Sequence, residues 1–202
     1  HDFQIEQPWD EHAGANRGVK AHGVDWYRTH FATDPAWQGS RVFLDFEGLL
    51  LHGTVWCNGV KVLEIDYGYL GGEADVTDLL VPGGMNVVAV RADAGGSGDS
   101  RWYTGAGLFR DVWLRVRNPV SIARHGVFVT TPRVTEAVAE VCVQVEIAGL
   151  CNRHDDVEIR AAFFNPEGIP VAQIARPAPQ GDRRKSMEVA LPSARKILGS
   201  VP

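Results

Sequence analysis

The sequence predicts an all-β protein built of two sandwiches, and three observations carry that prediction. Short runs alternate apolar and polar side chains, clusters of Gly, Pro, Asn and Asp separate them, and no segment sustains a 3.6-residue period. At 202 residues the chain can hold one large or two modest cores, since compact domains run to roughly 100–150 residues. Its composition, 45% hydrophobic and 22% charged, is that of a folded chain.

The first strands are predicted at Trp26 to Phe31 and Val42 to Glu47. In the second, Val42, Leu44 and Phe46 share one face while Phe43, Asp45 and Glu47 share the other, because side chains alternate across a strand. Val55-Trp56-Cys57-Asn58-Gly59-Val60-Lys61-Val62 reads as a hairpin, with Asn58-Gly59 supplying the positive φ angles of a type I′ turn. After Val81-Pro82-Gly83-Gly84 another strand runs from Asn86 to Arg91. Asp111 to Arg117 closes the region, with Val112, Leu114 and Val116 on one side. Asn118-Pro119 is the predicted boundary, since proline ends a ladder and a new series of strands follows. The domains are therefore 1–118 and 119–202.

In the second domain Val141, Val143, Val145 and Ile147 alternate with Glu140, Cys142, Gln144 and Glu146, the pattern of a sheet with one wet side. Asp156 to Phe164, the turn Asn165-Pro166-Glu167-Gly168, Ile169 to Ile174 and Met187 to Leu191 follow. Arg176 to Gly181 holds too little apolar content to pack and is predicted to be a mobile loop. About five strands can be counted here, against about seven in a complete immunoglobulin-like sandwich, so the second domain is expected to be incomplete.

A formal net charge of −5 and the absence of a long basic stripe argue against nucleic acid as a partner. The short Arg183-Arg184-Lys185 run reads as a solvated loop. No stretch approaches the roughly 20 apolar residues needed to cross a bilayer, so no membrane span is expected, and the compartment is left open. Cys57, Cys142 and Cys151 lack C-x-x-C spacing, which speaks against a zinc knuckle or a disulfide framework, with a Cys142–Cys151 bridge left open. The scattered histidines and the polar turn His154-Asp155-Asp156 give no metal site, and no cofactor is expected. Gly95-Gly96-Ser97-Gly98 follows a strand without opening a helix and reads as a flexible loop, not a phosphate cradle. Asp45 and Glu47 share a strand face, where a structural ion pair is the default reading.

The segment from Gly98 to Leu114 is the most informative. A glycine-rich loop with adjacent aromatics leads straight into an amphipathic strand. Sugars present apolar C–H faces as well as hydroxyls, so Trp102 and Tyr103 beside Asp99, Ser100 and Arg101 suit a carbohydrate. On chemistry alone the alternative stands that both aromatics plug the end of the sandwich.

Arg101-Trp102-Tyr103-Thr104-Gly105-Ala106-Gly107-Leu108-Phe109-Arg110-Asp111-Val112-Trp113-Leu114 resembles the R-W-Y-x-G-x-G-[IL]-[YF]-R-D-V-W-L signature of family 2 glycoside hydrolases, the family of β-galactosidases, β-glucuronidases and β-mannosidases. His1-Asp2-Phe3-Gln4-Ile5-Glu6 is similar to the family's opening H-D-W-x-I-E, and Gly23 to Phe31 to its G-x-x-W-Y-R-x-x-F strand. Arg41 to Gly48, Val55-Trp56-Cys57-Asn58-Gly59, Asp75-Val76-Thr77-Asp78-Leu79-Leu80 and Asn86 to Arg91 resemble further family stretches in the expected order. The chain departs from the pattern at Thr104, where proline is frequent, and at Gly68-Tyr69-Leu70-Gly71-Gly72, where the family has an aromatic-rich G-G-[YF] segment.

The resemblance implies a jelly-roll-like, galactose-binding-domain-like sandwich over 1–118 and an immunoglobulin-like sandwich over 119–202. It implies that hydrolysis belongs to a (β/α)8 barrel supplying an acid/base and a nucleophilic glutamate, so no catalytic residue is expected in this chain. The loop from Asp99 to Tyr103 would then approach the barrel mouth, with Ser100 and Arg101 as polar contacts. Arg110 and Asp111 are read as a structural pair. The implied partners are a β-glycoside substrate and the protein's own C-terminal barrel, with self-association left open. A free-standing lectin-like module without catalysis is the competing reading.

Overall fold

The computed structural model describes residues 23–95, 107–135, 137–149 and 157–178, and the backbone of 184–192. The chain divides into two compact units between Asn118 and Pro119. Among the described residues no helix is long and apolar enough to cross a membrane.

The first unit holds β1 (Val24–Ala32), β2 (Arg41–Phe46), β3 (Leu49–Leu50), β4 (His52–Cys57), β5 (Val60–Ile65), β6 (Gly72–Asp75), β7 (Met85–Asp93), β8 (Gly107–Leu108) and β9 (Val112–Arg117). One sheet has the order β1-β7-β4-β5 and another β6-β2-β9, with a short β3-β8 pair beside them. Alternation dictates which side chains meet between the layers. Val42, Leu44 and Phe46 are 3%, 4% and 0% exposed, on the face expected from the sequence. They pack with Leu49, Val55, Cys57, Val88 and Val90 in one core. Burial also pushes the Cys57 thiol pKa up. Cys57 and Cys142 are free thiols; Cys151 lies outside the described residues.

The opposite face of β2 is charged yet ordered. Asp45 is buried, and its Oδ2 accepts from Arg115 Nε on β9 at 2.6 Å. Glu47 accepts from Trp113 Nε1 at 2.8 Å. Both carboxylates are thereby committed to β9. On β9, Leu114 packs against the core, but Val112 and Val116 stay 40% and 38% exposed. The one-sided pattern read from the sequence is incomplete here because β9 is a sheet edge, with neighbours on one flank only.

The β4–β5 turn is the predicted Asn58-Gly59, at φ 48° and 84°. Asn58 does more than turn the chain. Its Oδ1 accepts from Val87 N at 2.9 Å, and its Nδ2 donates to Leu79 O and to Asn86 Oδ1, each at 2.8 Å. Asn86 is fully buried; its Oδ1 also accepts from Val81 N at 2.8 Å, and its Nδ2 donates to Gly84 O at 3.2 Å. These two amides tie the hairpin tip to the corner that precedes β7.

The second unit holds β10 (Ser121–Val134), β11 (Val138–Ala148), β12 (Glu158–Phe164), β13 (Pro170–Pro177) and β14 (Arg184–Pro192). A β10-β11-β14 sheet and a β12-β13 hairpin enclose Val141, Val143, Val145, Ile147, Ile159 and Ala178, with Phe163 and Ile174 against them. The turn before β13 forms as expected, Gly168 N donating to Asn165 O at 2.9 Å. Two expectations are corrected. Arg176 and Pro177 belong to β13, and Ala178 is buried with its N–H donating to Val157 O at 2.7 Å; a small apolar residue with a paired amide packs despite the low apolar content around it. Arg184 and Lys185 lie in β14, opposite Glu146 and Val145, so that basic run is not a loop over those residues.

Strand β10 escaped the sequence reading because its ladder is interrupted twice, between Ile122 and Val127 and between Thr130 and Arg133. Each irregularity shifts the alternation by which strands are recognised, and Pro132 falls in the second, where a missing N–H is tolerated.

Asn86→Ala takes away the acceptor of Val81 N and one of the two acceptors of Asn58 Nδ2, at the fully buried position of the network. An unsatisfied buried group costs about 1–3 kcal/mol, so this substitution should lower the unfolding free energy of the chain by about 3 kcal/mol. Urea denaturation measures it, and a loss below about 1 kcal/mol would show that the amide network is not a principal tie.

Candidate functional site

The segment proposed from the sequence, Asp99, Ser100, Arg101, Trp102 and Tyr103, lies outside the described residues; its two anchors are described. On the outgoing side, Asp93 ends β7. Its Oδ1 accepts from Gly95 N at 2.9 Å and its Oδ2 from Arg91 Nη2 at 2.6 Å. The Gly95 amide, followed by the Arg91 guanidinium, holds the Asp93 carboxyl below the usual aspartate range. On the returning side, Gly107 sits at φ 73° with its backbone against the Tyr27 ring, where an added Cβ would lie 2.1 Å from the phenolic oxygen. No larger residue fits between β1 and the returning chain. Burial is the main cause raising the Tyr27 phenol pKa.

Beyond β8 the chain presents Phe109 and Arg110 at the surface. Arg110 lies over the Phe109 ring, 5.1 Å from its centre, a cation–π arrangement. Tyr69 meets the other part of that ring edge-on at 6.0 Å, and Tyr67 lies 5.8 Å from Tyr69. Tyr67, Tyr69 and Phe109 are 60%, 48% and 38% exposed. The intervening Gly68 packs flush on Leu50, so close that a Cβ would fall 1.9 Å from Leu50 Cδ2, and the flanking tyrosines are left outside. An exposed aromatic ridge with a guanidinium at its end can stack on C–H faces and donate to hydroxyl or carboxylate oxygens.

Sequence reasoning missed this ridge. It treated Gly68 to Gly72 only as a departure from a family pattern, although Tyr-Gly-Tyr in a turn was a signal for two adjacent exposed rings. The expected Arg110–Asp111 pair is also corrected: among the described residues no ion pair joins them, and the arginine's partner is the Phe109 ring. Two further carboxylates of this unit are engaged, Glu73 accepting two bonds from Arg117 at 3.0 and 2.5 Å and Asp75 paired with Arg41 at 2.5 Å. Among the described residues no group of three or more His, Cys, Asp or Glu is placed to hold a metal.

A concavity of about 490 Å³ is lined by residues 33–35 and 37–40 and by Val42, Thr77, Leu80, Pro82 and Gly83. It lies at the other end of the sandwich. The β1–β7 register runs from Val24↔Asp93 to Ala32↔Met85, and those eight residue steps span roughly 26 Å at about 3.3 Å each.

Residues 10–96 match the family model described as glycosyl hydrolase 2 galactose-binding domain-like. The chain is 32% identical over 175 residues to a beta-galactosidase of Bacteroides ovatus, covering 86% of this chain and 21% of that protein. It is 29% identical over 151 residues to a putative beta-glucuronidase of Formosa agariphila, covering 74% of this chain and 14% of that one. A crystal structure of a glycosyl hydrolase family 2 member from Bacteroides cellulosilyticus superposes with a TM-score of 0.81 at 31% identity, over 95% of this chain and 26% of that one. The chain thus spans 21% and 14% of the length of these two curated relatives.

The Asp93 anchor gives a pH test. A carboxyl whose folded pKa is depressed adds stability above its unfolded value of about 3.9 and loses it as pH falls through the folded value. As pH falls from about 5 through the folded value, the unmodified chain should therefore lose more stability than Asp93→Asn. Parallel pH profiles of the urea midpoint would contradict the anchor.

Proposed function

Since this chain belongs to glycoside hydrolase family 2, we propose that it is the non-catalytic N-terminal region of a β-galactosidase-like or β-glucuronidase-like enzyme that hydrolyses β-glycosidic bonds. The observation that carries this reading is the span of the similarity: 86% of the chain aligns with 21% of a beta-galactosidase, and what aligns is sandwich. In this reading residues 1–118 are the sugar-binding jelly-roll sandwich and residues 119–202 an immunoglobulin-like one. The reaction falls to a C-terminal (β/α)8 barrel with its two glutamates.

The loop bearing Asp99, Ser100, Arg101, Trp102 and Tyr103 contributes one wall of the site on that barrel. Support comes from its anchors. Asp93 and Gly107 fix where the loop leaves and returns, and the Tyr67–Tyr69–Phe109 ridge lies beside the return. Trp102 and Tyr103 offer further stacking surface, with Asp99, Ser100 and Arg101 as polar contacts. Ordering such a loop costs roughly 1–2 kcal/mol per fixed backbone residue, enough to cancel one or two stacking contacts. The wall binds sugar well only with the barrel opposite it.

The purified chain should show no turnover of aryl β-galactosides or aryl β-glucuronides. It should bind monosaccharides through this loop with a dissociation constant on the order of millimolar or weaker. In the full-length enzyme, Trp102→Ala and Tyr69→Ala should each lower kcat/KM by about tenfold, equal to about 1.4 kcal/mol of transition-state stabilisation. Micromolar binding by the chain alone, lost in Trp102→Ala, would overturn this reading in favour of a lectin-like module.

A further inference from the structure

The geometry points to a second carbohydrate site, for the ring of a neutral pyranose, in the cavity beside Trp37 at the end of the sandwich away from the Asp99–Tyr103 loop. At about 490 Å³ the cavity falls within the ~300–1,000 Å³ range of ligand pockets, which are mostly apolar with a few placed polar groups. This inference goes beyond the walling role above and does not depend on it.

The cavity is held open by contacts far apart in sequence. Thr33 Oγ1 donates to Val81 O at 3.2 Å and accepts from Gly83 N at 2.7 Å, which pins the turn before β7 to the end of β1. Asp34 caps the 3-10 turn Pro35–Trp37, its Oδ1 accepting from Ala36 N at 2.8 Å. Trp37 packs partly against the main core while also lining the cavity. Its indole is thus fixed before any ligand arrives, which lowers the ordering cost of binding.

Several polar groups of the lining have no protein partner among the described residues: Asp34 Oδ2, the Gln38 amide, Ser40 Oγ and Trp37 Nε1. An indole surface beside one carboxylate, one amide, one hydroxyl and one N–H matches a sugar ring, whose C–H face needs an aromatic and whose hydroxyls both donate and accept. The charge of the lining selects among sugars. The twelve lining residues include Asp34 and no Lys or Arg, so a uronate would meet a like charge with no cation to offset it. A neutral hexose or pentose meets no such penalty.

The test is a two-dimensional amide NMR titration of the 202-residue chain with galactose, glucose, xylose and glucuronate, and with cyclohexanol as a ring of similar size bearing one hydroxyl. At least one neutral sugar should give saturable shifts at residues 33–42 and 77–83, with a dissociation constant on the order of millimolar. Glucuronate should bind about fivefold more weakly or worse. Gln38→Ala, which alters an exposed side chain without backbone duties, and Trp37→Phe, which keeps an apolar ring against the core, should each weaken binding by about threefold or more.

Three outcomes would overturn the inference. One is the absence of saturable shifts at these residues with every neutral sugar up to about 50 mM. Another is binding unchanged by Gln38→Ala together with equal shifts from cyclohexanol, the behaviour of a merely greasy cleft. The third is sugar-induced shifts confined to Tyr67, Tyr69 and Phe109, which would remove the second site while leaving the proposed active-site wall intact.

Discussion

The paired amides of Asn58 and the buried Asn86 are the constraint on which the first unit hangs. A primary amide taken out of water must find partners for its donors and acceptors, and Asn86 finds them in the Asn58 side chain and in the backbone of Val81 and Gly84. Asn58 in turn closes on Val87 and Leu79. The β4–β5 tip therefore has one position relative to β7, which sets Cys57 opposite Val88 and Val55 opposite Val90. A slip of one residue would send each of these core side chains to the other face.

The same network reaches the two ends of the sandwich differently. Toward the cavity its influence is direct: Val81, whose N–H it holds, also accepts from Thr33 through its carbonyl. The turn before β7 and the end of β1 are thus parts of one bonded corner. At the far end of β7 the ladder hands over to local devices, the Asp93 bonds to Arg91 and Gly95 and the close approach of Gly107 to Tyr27. The aromatic ridge and the Trp37 cavity thus lie toward opposite ends of the sandwich, each carried by chain that leaves the sheet.

The outer face of the β6-β2-β9 sheet is charged, and its charges are ordered in pairs. Arg41, Arg115 and Arg117 each take a carboxylate from Asp75, Asp45 and Glu73, and Arg115 and Arg117 also lie near the Trp113 and Phe43 rings. Exposed pairs of this kind contribute little each, about 0–1 kcal/mol. The half-buried ones fix strand register because breaking them would strand a charge with poor access to water.

Much of the fold was legible in the residues alone. Period-two alternation in β2 and β11 decided which side chains face the core, the Asn58-Gly59 pair located a hairpin tip, and an ordered series of weak motifs identified the family. All of these signals are local, since each depends on neighbours within a few positions. What the tertiary structure decided depends on residues far apart in the chain. Tyr69 meets Phe109 from a separate loop, Thr33 bonds Val81 over a separation of 48 residues, Asp45 is buried against Arg115 over 70, and Ala178 packs with the core residues of β11 from a stretch that composition alone marks as loop. The aromatic ridge and the Trp37 cavity exist only once such pairs are closed, because a binding surface is a property of side chains brought together by the sheet, and nothing in their own stretch of sequence encodes that they meet.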